Sequence, residues 1–333
     1  MKKLIIISND KIYFDNKFVR TDFNDTLNII EGLSKKNYLY FFSRKSKFKG
    51  IYKTKIKKKT QLKISQIRFL NLQNKKIFMI SITPFSFFIF KLINLFHGKI
   101  SGFVILRSDG FKEYSLKFGL IGKKLYEFFF KNILKQLKPI IVTEKLSNIS
   151  NYKYLKIYPS EITNLWKKNL NKAKLSKARL LYLGRIKKEK GVFSLINLVK
   201  NFNIDFSLNI VGSYKNFSYK KREIKVFKET SSIKKIIDFY DKSNIFILPS
   251  FTEGSPKVIL ESLSRQRPVI VFNDISHVKS GMKGIFVSNR DTEDLQKTIV
   301  YILKNYEKIQ SEMKKNKIPT KEHFQKELIK IVK

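Results

Sequence analysis

Short apolar, β-branched runs recur along the chain, with helical spacings between them. In the first half "KLIIIS", "NYLYFFS", "KIFMISI", "GFVILRS" and "PIIVTEK" have the length and composition of buried strands. Apolar residues three and four apart predict helices near residues 23–35, 84–97 and 115–137. The polar stretch "EITNLWKKNLNKAKLSKA" breaks the alternation, which restarts with "RLLYLGRI", "FSLNIVGS", "NIFILPS", "RPVIVF" and "GIFVS". Buried strands alternating with helices predict an α/β chain with mostly parallel, doubly wound sheets. The restart predicts two domains, residues 1–165 and 178–310, with residues 311–333 a helical tail packing back on the first.

Composition narrows the setting. At 43% hydrophobic and 14% aromatic the chain carries enough apolar surface for two cores, which excludes a disordered protein. It has no cysteine, so a disulfide framework and a thiolate zinc site are both excluded, and a reducing, cytoplasmic setting is expected. "LIIIS" is short for a secretory signal and is followed by "NDK" without a small-residue cleavage pattern. The one membrane-like run, "IFMISITPFSFFIFKLINLF", contains Pro84, Lys91 and Asn94 and reads as a strand followed by a helix starting at Pro84.

The formal charge of +43 attracts any polyanion and so selects none. Only 10 of the 69 basic residues are Arg, the side chain suited to fixed phosphate and base geometry, and lysine is spread over both halves. A solvated lysine coat accounts for this better than specific nucleic-acid binding, which would cluster basic and aromatic residues on one module.

Candidate chemistry lies after three second-half strands, where ligands bind in such sheets. "LGRIKKEKG" sets Arg185 and Lys190 between Gly184 and Gly191, two cations able to hold a diphosphate where glycine lets the backbone come close. "VGSYKN" adds Gly212. "LPSFTEGSPKVILES" places Gly254, Ser255 and Lys257 around Pro256, a residue suited to a first helical turn whose amides favour phosphate. A helix beginning at Glu253 would put Glu261 about 12 Å further along its axis, too far for one proton or metal but suited to two hydroxyl-bearing parts of one ligand. An acidic residue near a helix start and an exposed helical Glu would leave the same pattern.

Together these stretches resemble the donor-binding half of glycosyltransferase family 4, strongly over roughly residues 179–303 and faintly before. The resemblance implies the GT-B fold, two Rossmann-like domains facing a central cleft, and retaining transfer of a sugar from a nucleoside diphosphate sugar. By resemblance Arg185, Lys190 and Glu253 are catalytic, the cations on the diphosphate and Glu253 on donor-sugar hydroxyls. Glu261 would meet the ribose, and Gly184, Gly212, Gly254, Ser255, Pro256 and Lys257 would line the donor. The departing phosphate would take the acceptor's proton. No D-x-D pair suited to a metal is present, so a metal-independent enzyme without cofactor is expected, the nucleotide sugar being its substrate.

The first half departs from the family. The paired-glycine loop expected after the first strand is replaced by "SNDKIYFDNKFVRTDFND", where Lys17 or Arg20 would have to substitute. Arg107 and Asp109, after "GFVIL", are candidates for the acceptor or sugar side, while Asp109 also suits a plain turn. His97 and His277 read as structural histidines. Tyr126, Phe128, Phe129 and Phe130 beside Lys123, Lys124, Lys131, Lys135 and Lys138 suit a helix lying on an anionic membrane, whose cytoplasmic face could present a lipid-linked or polysaccharide acceptor for lipopolysaccharide, O-antigen or capsule. The alternatives are a basic nucleic-acid-binding protein and a catalytically degenerate GT-B interaction protein.

Overall fold

The structure, a computed structural model, describes residues 2–72, 75–142, 146, 149–213, 222–279 and 281–332. The chain divides into two compact units, residues 1–159 with 321–333, and residues 160–320.

The first unit begins with β1 (Lys2–Phe14), β2 (Phe18–Thr21), α1 (Asn24–Ser34), β3 (Asn37–Lys45), β4 (Tyr52–Lys55) and β5 (Lys59–Gln61). It continues with β6 (Lys76–Ile80), α2 (Pro84–His97), β7 (Gly102–Leu106), α3 (Gly110–Leu134), β8 (Leu137–Ile141) and β9 (Leu155–Lys156). Seven strands pair in parallel in the order β5-β3-β1-β6-β7-β8-β9, with Ile5 opposite both Tyr40 and Ile77. Strands buried on both faces need near-continuous apolar runs, which segments such as Leu4–Ile7 supply. Of the last run read as a strand, Thr143–Lys145 lie outside the described residues.

The segment read as a loop in place of the glycine loop is a hairpin. β1 slips register between Ser8 and Lys11, runs on to Phe14, and turns into antiparallel β2, which pairs with β4. Asp15 fixes the turn by accepting the N–H groups of Lys17 and Phe18 on Oδ1. Arg20 is ion-paired to Asp15 at 3.3 Å, so it is not a free phosphate ligand in this conformation.

The second unit contains β10 (Ala178–Leu183), α4 (Val192–Val199), β11 (Phe206–Val211), β12 (Ile224–Phe227), α5 (Ile233–Lys242) and β13 (Ile245–Leu248). Then follow α6 (Lys257–Ser264), β14 (Val269–Phe272), β15 (Ile285–Ser288), α7 (Thr292–Lys304) and α8 (Tyr306–Met313). Its sheet is wholly parallel in the order β12-β11-β10-β13-β14-β15, the doubly wound arrangement whose winding reverses between β10 and β13.

The boundaries differ from the pattern-based ones for physical reasons. Residues 160–177, polar in sequence, are laced to the second unit. Ile162 and Trp166 are buried in its core, and the buried Arg265 donates to the carbonyls of Trp166, Lys168 and Asn169 while paired with Asp241 at 2.7 Å. α8 also stays there through Tyr306, Ile309 and Met313. The final helix α9 (Lys321–Val332) belongs to the first unit, where Phe324, Leu328 and Val332 pack with Leu27, Ile30 and Leu33. There Gln325 donates to Asn28 Oδ1 at 2.9 Å and accepts from Lys35 Nζ at 2.6 Å.

Candidate functional site

The reversal of strand order opens a crevice between neighbouring loops, so residues just past β10 and β13 are brought together. Past β10, the phenol of buried Tyr182 donates to the Arg185 carbonyl at 2.7 Å and fixes the loop's first bend. Burial raises the Tyr182 phenol well above its ordinary pKa, so it remains a donor. A single tight turn, Lys188–Lys190, ends at Gly191, whose φ of 67° lies in the left-handed region, and α4 starts at the next residue. A Cβ on Gly191 would fall 1.8 Å from the Pro249 carbonyl oxygen. Glycine is therefore required for the first loop to lie on the end of β13.

That contact joins the two loops. The Phe251 N–H donates to the Glu189 carbonyl at 3.0 Å, and Lys190 Nζ lies 2.7 Å from Glu253 Oε1. Ser250 Oγ donates to the same carboxylate oxygen at 2.7 Å, and His277 Nε2–H donates to the Glu253 carbonyl at 3.0 Å. Arg290 supports the segment from beneath, between the rings of Phe251 and Phe272, and donates to the Pro249 carbonyl at 3.0 Å. Arg185 is exposed, and no carboxylate among the described residues is ion-paired with it. Gly184 and Gly212 meet at the neighbouring strand ends: a Cβ on Gly212 would fall 2.1 Å from the Gly184 carbonyl. The rest of that loop, Tyr214–Asn216, lies outside the described residues.

The helix after β13 starts later than expected. α6 begins at Lys257, and Pro256 occupies the extended cap position, not the first turn. Glu253, Gly254 and Ser255 therefore form the loop leading into the helix, and the Glu253–Glu261 separation is not a helical rise over eight residues. A proline cannot donate the bond that would carry the helix further back. Lys257 turns to an ion pair with Glu161. Glu261, one turn into α6, accepts the Tyr240 hydroxyl at 3.0 Å. Burial raises the Glu261 carboxyl above its ordinary pKa, against the opposing pull of the Tyr240 hydrogen bond and the Lys257 charge.

In the first unit a second polar cluster sits where β6 and β7 end, beside the register slip of β1. Arg107 donates through Nε to Ser81 Oγ and through Nη1 to Thr26 Oγ1, each at 2.9 Å, and pairs with Asp10 at 3.3 Å. Thr26 in turn donates to Asp10, and Ser81 adopts a φ of 63° that is strained for a non-glycine residue. Asp109 caps α3 by accepting the N–H groups of Phe111 and Lys112, so its local role is that of the turn residue. Asp10, Ser81, Thr26, Ser250 and Tyr240 were not evident in the sequence, because single polar residues in a chain so rich in them carry no signal until the topology brings them together.

Comparisons with known proteins bear on the second unit's relatives and on the fold. Residues 165–319 match the family model described as glycosyl transferases group 1. An uncharacterised glycosyltransferase of Methanocaldococcus jannaschii is 28% identical over 38% of this chain and 38% of its own length. The capsular polysaccharide biosynthesis glycosyltransferase CapM of Staphylococcus aureus is 28% identical over 35% of this chain and 34% of its own. The chain thus aligns to little more than a third of either relative. Among solved structures, Anabaena HepE in complex with UDP-glucose superposes with a TM-score of 0.70 over 98% of both chains at 11% identity, a likeness of fold. The architecture is GT-B: two Rossmann-like units, each on a largely parallel sheet.

Proposed function

We propose that this chain is a retaining, metal-independent glycosyltransferase that moves a hexose or related sugar from a nucleoside diphosphate donor to a lipid-linked or polysaccharide acceptor of the cell surface. The observation that carries the reading is the Lys190–Glu253 pair at the winding reversal of the second sheet, beside exposed Arg185. The group 1 match over that unit and the capsule assignment of CapM support it, as does the UDP-glucose bound by HepE.

The chemistry asked of the site is charge stabilisation. As the bond from the sugar's anomeric carbon to the diphosphate breaks, negative charge grows on the leaving oxygen. Arg185 offers a planar fork to that phosphate and Lys190 a point charge, two of its three N–H groups remaining for the ligand while the third holds Glu253. The N-terminal end of α6 carries the positive end of the helix dipole and favours the same anion. Glu253, held by Ser250 and Lys190, presents its carboxylate to donor-sugar hydroxyls, and Glu261 takes the ribose. The acceptor oxygen attacks from the side the phosphate leaves, and its proton passes to that phosphate, so no protein nucleophile is required.

The test is to screen nucleotides by thermal shift and then follow turnover of the sugar form of the best one. Ligand at a hundred times its Kd adds about 2.7 kcal/mol of stability. Transfer should persist in a chelator and give a product with the donor's anomeric configuration. An inverted product, or loss of activity that magnesium restores, would overturn the mechanism.

A further inference from the structure

The long segment α3 does not run straight. Phe118 (φ −137°, ψ 15°) and Gly119 (φ 62°, ψ −151°) leave the helical region and divide it into two arms. The arms fold back on each other. Gly110 and Tyr126 would be about 24 Å apart on one straight helix, yet a Cβ on Gly110 would fall 2.1 Å from the Tyr126 ring. Gly122 likewise abuts the Tyr114 carbonyl, where a Cβ would fall 2.4 Å away, and the Tyr114 and Tyr126 rings lie 5.1 Å apart. Glycine at both positions lets the arms approach closely. The result is a helical hairpin whose apex is Phe118–Gly119.

The apex is apolar and bare. Leu116 and Ile121 are each 81% exposed, Leu120 75% and Phe118 64%. A contiguous cluster of this kind is unusual on a soluble surface. It lies away from the aromatic triplet expected to touch the membrane. Phe129 and Phe130 are buried against the core, and only Phe128 of the three is exposed. Around the apex stand four exposed lysines, Lys112, Lys117, Lys123 and Lys124, with Glu113 on the first arm and Glu127, ion-paired to Lys131, further along the second.

From this pairing of a bare apolar tip with a lysine collar we infer that the α3 hairpin inserts its apex into the interface of an anionic phospholipid bilayer. An amphipathic element of this kind buries its apolar side chains about 5–10 Å into the headgroup boundary while its lysines meet anionic headgroups. A second copy of the chain is the poorer occupant, since each tip carries the same positive collar on a chain of net charge +43. The inference deepens the proposed lipid-side acceptor and rests on that reading only for its purpose. Membrane partition and nucleotide binding are measured separately.

The test is flotation of the full chain with vesicles of phosphatidylglycerol and phosphatidylcholine, or of phosphatidylcholine alone, at about 0.05 M and about 0.5 M salt. Partition should favour the anionic vesicles and weaken at high salt. Changing Leu116, Phe118, Leu120 and Ile121 together to Ser should lower it at least about tenfold, with melting temperature and nucleotide-induced thermal shift kept. Lys117→Glu with Lys123→Glu and Lys124→Glu should remove the preference for anionic lipid without touching the apolar tip. Equal partition onto both vesicle types, none onto either, or unchanged partition of the serine variant would overturn the inference. So would self-association of the wild type that the serine variant abolishes.

Discussion

Lys190 and Glu253, 63 residues apart in the chain, meet at 2.7 Å where the loops after β10 and β13 cross. Both side chains are largely shielded, at 20% and 12% exposure, so the pair holds its geometry better than a surface ion pair does.

Lys190→Ala should therefore lower turnover about 10²- to 10³-fold, the usual effect of removing one donor from a developing oxyanion. Glu253→Gln should act mainly on transfer while keeping a hydrogen bond to Ser250. Because the two groups share one site, the double variant should fall well short of the product of the single losses. Steady-state kinetics of the three variants decide it, and multiplicative losses would dissociate the pair from a common role.

Gly191 tests whether the loop crossing positions that pair. Gly191→Ala must resolve both a left-handed φ and an overlap with the Pro249 carbonyl, so it should cost more than about 2 kcal/mol and displace the segment that carries Glu253. Gly119→Ala has nothing within 4 Å of its Cβ, but its φ of 62° with ψ of −151° is a conformation kept almost to glycine, so it should cost about 1–3 kcal/mol from backbone strain alone. Chemical denaturation of both, with nucleotide titration, separates strain from steric displacement.

The main parallel strands were readable in sequence because, buried on both faces, they leave continuous apolar runs such as Leu4–Ile7 and Ile245–Leu248, whereas their order in the sheets was not. The residues at the winding reversal were readable because glycine, arginine and glutamate stand at fixed distances from those runs. What stayed hidden depends on contacts between distant segments. The linker at 160–177 reads as solvent-facing, yet its carbonyls are bound by Arg265, a residue about 100 positions away. The α3 hairpin reads as one helix because its arms keep helical spacing, and only Gly119 marks the break. The β1–β2 hairpin is hidden because the consecutive polar residues Asn9, Asp10 and Lys11 read as the end of the first strand.

Arg265 also sets the largest stability effect expected outside the site. Its guanidinium is 1% exposed and forks onto Asp241 while capping three linker carbonyls. Arg265→Met should leave Asp241 with Arg267 at 4.0 Å and the Asn171 amide at 3.3 Å, and cost about 3–5 kcal/mol in the second unit. Calorimetry should show that unit's transition move down while a transition of the first unit stays. No change in either would mean that the linker is held without Arg265, by the packing of Ile162 and Trp166 together with the bonds of Arg267 and Asn244 to the Asn171, Lys174 and Lys177 carbonyls.

Glu261 should make the second unit's stability depend on pH with a sign opposite to that of an ion-paired carboxylate. Burial raises its folded pKa above the ordinary 4.5, while the Tyr240 hydroxyl and Lys257 offset part of the effect. The folded state therefore holds its proton more tightly than the unfolded chain does. That stability is fully present below pH 4.5 and is lost as pH rises through the raised folded value. Glu261→Gln cannot ionise, keeps an oxygen to accept from Tyr240, and should remove this part of the loss. The wild type and the Gln variant, melted side by side from acid to neutral pH, should thus diverge, the variant gaining relative stability as pH rises. Nucleotide binding should show the reverse, because a ribose hydroxyl donates more strongly to a carboxylate than to a carboxylic acid or an amide. Parallel melting curves at every pH would show that Glu261 ionises in the folded chain as it does in the unfolded one.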